Sequence, residues 1–78
     1  MTKLAVVSSK VMIKFLEYLG FKQIRQKGSH KFFKHQDGRT ATIPFHKGED
    51  LGKGITNEIL KDIEISKEEF LHWYLKKK

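Results

Sequence analysis

Two glycine turns, Lys27-Gly28 and Asp37-Gly38, do most to limit what this chain can become. They cut the middle of the sequence into three short segments, Phe21 to Gln26, Ser29 to His35 and Arg39 to Phe45. Asp-Gly between two such segments is the strongest short-range signal for a β-hairpin, since both residues accept positive φ. Segments joined by tight turns pair as antiparallel neighbours. Pro44 has no N–H for the ladder, so it marks a strand end or a sheet edge. In the second segment His30, Phe32 and Lys34 share one face, and Lys31, Phe33 and His35 share the other. One phenylalanine lies on each side, so alternation alone leaves the buried face open.

Helices flank these strands. Val11, Met12, Phe15, Leu16 and Leu19 recur at helical spacing between Ser8-Ser9 and Gly20. Serine supplies a side-chain acceptor for the first turn, and glycine takes the left-handed conformation that ends it. After the strands, Ile55 to Ile63 reads as a second helix with Ile55, Ile59, Leu60 and Ile63 on its inner face. Ser66-Lys-Glu-Glu69 is a capping box opening a third, short helix, whose Phe70, Leu71 and Tyr74 can pack inward. Strands followed by helices, without β-α-β alternation, predict an α+β sandwich: helix, three antiparallel strands, helix and a short helix. All helices then cover one sheet face and leave the other free.

Seventy-eight residues allow one thin core and a single domain over residues 1–78. A shallow groove is easier to build at this size than a deep pocket. Residues 1–47 hold ten Lys/Arg against two acids, whereas residues 48–78 hold six against seven. The whole surplus behind the net charge of +7 therefore lies in the first part. A one-sided basic stripe is the electrostatic footprint of a polyanion partner. Cysteine is absent, which excludes disulfides and thiolate metal sites. Leu4-Ala-Val-Val7 is too short for a signal-peptide core of about 7–15 residues or a membrane span of about 20. A soluble cytoplasmic protein with no membrane partner is expected.

Chemistry concentrates in Lys27-Gly-Ser-His-Lys-Phe-Phe33. Imidazole can exchange a proton near neutrality, and lysine ammonium groups suit phosphate oxygens. Ser29 and His30 point to opposite strand faces, so they make no local nucleophilic pair. RNA cleavage needs none, because the substrate's own 2′-hydroxyl attacks and the protein supplies an acid or base plus positive charge. Candidate phosphate contacts are Lys27, Lys31, Lys34 and Arg39. The four histidines, His30, His35, His46 and His72, lack the i, i+4 pair and thiolate partners of a zinc site, so no metal or other cofactor is expected. Gly48-Glu-Asp-Leu-Gly-Lys-Gly54 misses the Walker spacing and its final hydroxyl.

Gly28-Ser-His30 with Phe33, Asp37-Gly-Arg39, Ile43-Pro-Phe-His46, Gly54 before a helix, and Ser66 to Phe70 stand in the order seen in the HicA toxin family. Lys3-Leu-Ala-Val-Val-Ser8 and Leu19-Gly-Phe21 also resemble that family's opening. The resemblance covers nearly the whole chain. It implies a fold similar to the double-stranded-RNA-binding domain, a ribosome-independent mRNA endonuclease that halts growth, and an inhibitory HicB antitoxin. The family's catalytic histidine falls on His30, and its histidine after the third strand on His46, a secondary candidate. Duplex-binding relatives of the fold carry a lysine cluster at the start of their last main helix, where this chain has only Lys53 in Lys53-Gly-Ile-Thr-Asn-Glu58. Single strands or local structure are the expected substrate. A non-catalytic RNA-binding module, or a basic adaptor for an acidic protein, is the alternative.

Overall fold

The computed structural model describes residues 7–45 and 50–77. Its elements are α1 (Ser9–Leu19), β1 (Lys22–Lys27), β2 (His30–Lys34), β3 (Thr40–Pro44), α2 (Lys53–Asp62) and α3 (Lys67–Lys77). The strands form one antiparallel sheet in the order β1-β2-β3, which is the α+β arrangement expected.

The first helix starts where Ser8 Oγ accepts the Val11 N–H at 3.3 Å and stops at Gly20, left-handed at φ 102°. Met12, Phe15 and Leu16 on its inner stripe are buried. In α2 the inner stripe differs from the expected one. Ile55 is exposed, and the buried set is Thr56, Ile59, Leu60 and Ile63, at i, i+3, i+4 and i+7. The helix begins two residues earlier than its apolar residues suggest, at Lys53. Thr56 tolerates complete burial because its hydroxyl donates to the Gly52 carbonyl at 2.9 Å. The last helix is as long as the first at 11 residues, capped by Ser66 Oγ accepting the Glu69 N–H at 3.1 Å. Its Phe70 is fully buried, and Trp73 packs beside it, 5.0 Å from the Phe15 ring centroid.

The two hairpins are built differently. Gly28 (φ 58°) and Ser29 form a two-residue turn with positive φ at its first position only, the φ pattern of type II′. At the second hairpin Asp37 does not take positive φ. Gly38 alone does, with its N–H donating to the His35 carbonyl and the His35 N–H to the Arg39 carbonyl. The loop therefore has three central residues, a turn followed by one left-handed glycine.

Burial settles which sheet face meets the helices. Phe33, Ala41 and Ile43 are buried and join Val7, Met12, Phe15, Leu16, Phe21, Leu51, Ile59, Leu60, Ile63 and Phe70 in the core. The face of His30 and Phe32 is thus the one turned away from the helices. Strand β1 is exposed along its whole length, so it extends the sheet beyond the helical cover.

Candidate nucleic-acid interface

The ladder register defines three rows on the open face. Lys27, His30 and Pro44 lie opposite one another; so do Arg25, Phe32 and Thr42; so do Lys22, Lys34 and Thr40. Directly opposed residues share a face with Cβ atoms about 5 Å apart. Four cations thus share this face with one exposed histidine, and no strand position on it is acidic. The field of such a surface attracts polyanions.

His30 sits at the end of β2, immediately after the Gly28-Ser29 turn. Its backbone is held on both sides, by Lys27 across one ladder and Pro44 across the other. The Phe45 N–H donates to the Ser29 carbonyl at 2.6 Å, which closes the sheet beside it. The buried hydroxyl of Ser9 donates to the Pro44 carbonyl at 2.8 Å. The first turn of α1 is thereby fastened to the strand end opposite the histidine. Ser8 and Ser9 both read as capping residues in the sequence, but only Ser8 caps.

The phosphate-contact candidates divide between the faces. Lys27 and Lys34 share the face of His30. Lys31 does not: it is half-buried on the helical side, its ammonium 4.1 Å from the Phe45 ring centroid. Arg39 is engaged in the fold. Its Nε donates to Asp37 Oδ2 at 2.8 Å, its Nη1 donates to the Ile63 carbonyl, and its guanidinium lies 5.3 Å from the Phe21 centroid. That arginine and the Arg39 N–H, donating to Asp37 Oδ1 at 3.0 Å, hold the Asp37 carboxyl below its ordinary 3.8, the backbone bond being the larger cause.

Lys22 and Arg25, which sequence reasoning passed over, belong to the open face. Counting back from the Gly28-Ser29 turn places Arg25 opposite Phe32, so that residue was accessible to simple parity. Lys22 was not. A bulge between Gln23 and Arg25 leaves Ile24 as an extra residue and shifts the parity of everything before it.

The other histidines play other parts. His35 Nδ1 accepts the Asp37 N–H at 3.1 Å while Nε2 lies 3.0 Å from the Leu19 carbonyl. With Asp37 Oδ1 also 3.2 Å from Nδ1, these contacts brace the hairpin against the end of α1. His72 is exposed on α3, remote in sequence from the sheet. His46 lies outside the described residues. Among those residues no group of three or more His, Asp or Glu is placed to hold a metal ion, and no helix is long and apolar enough to cross a membrane.

The α+β sandwich thus carries a cationic open sheet face that bears an exposed histidine. Comparison with known families makes the class specific. The family described as HicA toxin of bacterial toxin-antitoxin matches residues 9–65. The chain belongs to this family, so it is a toxin of the toxin–antitoxin kind with a fold of the double-stranded-RNA-binding type, and such toxins are generally ribonucleases. No curated protein matches the sequence.

Proposed function

We propose that this protein is a ribosome-independent mRNA endoribonuclease whose general acid or base is His30. The supporting observation is the placement of His30: solvent-exposed, opposite Lys27, on a sheet face with cations and no strand carboxylate. The 2′-oxygen attacks the adjoining phosphorus and the bond to the 5′-oxygen breaks. The products are a 2′,3′-cyclic phosphate and a free 5′-hydroxyl. One proton leaves the 2′-hydroxyl and one reaches the departing 5′-oxygen, and imidazole serves one of these transfers. Lys27, directly opposite His30, stabilises the extra negative charge of the pentacoordinate transition state, and Lys22 and Lys34 hold phosphate farther along the strand. His46 is the second candidate for a proton-transfer role. Residues 1–78 act as one catalytic domain in the cytoplasm.

A face arranged for phosphate also suits an acidic protein. A HicB-type antitoxin that covers His30 and pairs with the same lysines would stop cleavage without touching the core.

Cleavage of end-labelled mRNA by wild type and His30→Ala tests this function, with circular dichroism to check folding. General acid–base catalysis contributes about 10²–10⁴-fold, and a loss of that size is expected. Full activity in His30→Ala removes the imidazole from the mechanism. A wild-type protein that retards RNA without shortening it is a binding module instead.

A further inference from the structure

Of the six phenylalanines, Phe15, Phe21, Phe33 and Phe70 are buried, and Phe45 lies beneath Lys31 on the helical side. Phe32 alone occupies the open face, at the middle of the central strand, where alternation calls for a polar residue. Arg25 lies directly opposite, its guanidinium carbon 4.6 Å from the Phe32 centroid. Rows of charge flank this pair. Lys27 and His30 lie on one side and Lys22 and Lys34 on the other, each about 7 Å away, the repeat of two strand residues.

We propose that Arg25 and Phe32 form a base-stacking subsite that holds one unpaired base beside the scissile phosphate, making single-stranded RNA the substrate. The inference rests on the ribonuclease function above and adds what that surface recognises. A single strand can set one phosphate against Lys27 and His30 while the attached base reaches Arg25 and Phe32, and Lys22 and Lys34 lie beyond to meet a phosphate farther along the chain. Guanidinium is planar and stacks on π-faces, so Arg25 can carry a base on its outer plane and the phenyl ring beneath. A base inside a duplex has its π-faces already stacked, so only an unpaired base fits. Thr42, on the far side of Phe32 in the same row, offers a hydroxyl to the base edge.

The test is binding, measured by fluorescence anisotropy with an uncleavable 2′-O-methyl oligonucleotide of mixed sequence. It is compared with an abasic phosphodiester strand of the same length and with the matching duplex. Base–aromatic stacking corresponds to a preference of roughly five- to 150-fold, and wild type should prefer the base-bearing single strand over both others by that order. Phe32→Leu and Arg25→Lys should lose the preference while binding the abasic strand as wild type does. The abasic comparison needs no variant, so misfolding of Phe32→Leu cannot hide the answer.

Equal binding of base-bearing and abasic strands, or an undiminished preference in both variants, overturns the subsite. The ribonuclease function still stands in that case if His30→Ala abolishes cleavage. A clear stacking preference in a wild type that never cuts RNA supports the subsite and removes the catalytic function. Binding of an acidic protein but of neither strand, even at low salt, overturns both.

Discussion

Lys27 stands directly opposite His30 across the first hairpin, the two residues separated in sequence only by Gly28 and Ser29. The turn therefore delivers an ammonium group and an imidazole to the same face at adjacent positions. Lys31, the next residue along, faces the opposite way over Phe45.

That contrast yields a salt-dependence prediction. Each phosphate contact to a single strand adds about 0.7 to the slope of log affinity against log salt concentration. Lys27→Gln should lower the slope by about that amount, and Lys31→Gln should leave it nearly unchanged. Titration of labelled single-stranded RNA at several salt concentrations measures both. Equal effects would contradict the division of faces.

Adjacent phenylalanines should differ sharply in their contribution to stability. Phe33 is 1% exposed within the core, and replacing a buried phenylalanine by alanine costs about 3–5 kcal/mol. For a domain of this size that is a large part of the total. Phe32 lies on the open face, where Phe32→Ala should cost about 1 kcal/mol or less. Urea denaturation of both variants checks this. Phe33→Leu provides a milder change if Phe33→Ala is largely unfolded.

Arg39 should affect stability rather than RNA affinity. Its side chain ties the second hairpin to the Ile63 carbonyl at the end of α2 and lies over Phe21. Arg39→Ala leaves that carbonyl without its partner, at a cost of about 1–3 kcal/mol. Arg39→Lys recovers only part, because an ammonium group cannot reproduce the fork that reaches Asp37 and Ile63 together. The expected signature is a lower urea midpoint with an unchanged slope, and RNA binding near wild type at temperatures where the variant is folded.

Asp37 gives the fold a small acid sensitivity. Its folded pKa lies below the ordinary 3.8, chiefly because its carboxylate accepts the Arg39 N–H. A depressed carboxyl pKa contributes stability that is complete above the unfolded value and is lost as pH falls through the folded one. The stability difference between wild type and Asp37→Asn should shrink as pH falls from about 5 to below about 4. Urea midpoints across that range test the sign. A difference that grows on acidification would refute it.

Much of the architecture is written in local chemistry. Ser8, Gly20, Gly28 and Ser66 do in space what their types demand of a chain, so the order of elements and the antiparallel sheet were legible. The parity of β2 likewise separated His30 from Lys31 before any packing was known. Parity has no preferred sign, however. With Phe32 and Phe33 side by side, the helical residues had to choose between faces, and that choice exposed His30.

Three further features depend on contacts distant in sequence. The bulge at Ile24 moves Lys22 onto the open face. The Ile63 carbonyl, 24 residues away, engages Arg39 in the scaffold. Pro44, 35 residues from Ser9, accepts the hydroxyl that local pattern assigned to capping. Short-range propensity reports turns and periodicity because those arise between neighbours. Which side chains remain free for a ligand depends on what the rest of the chain has already bound, and that is resolved only when the elements pack.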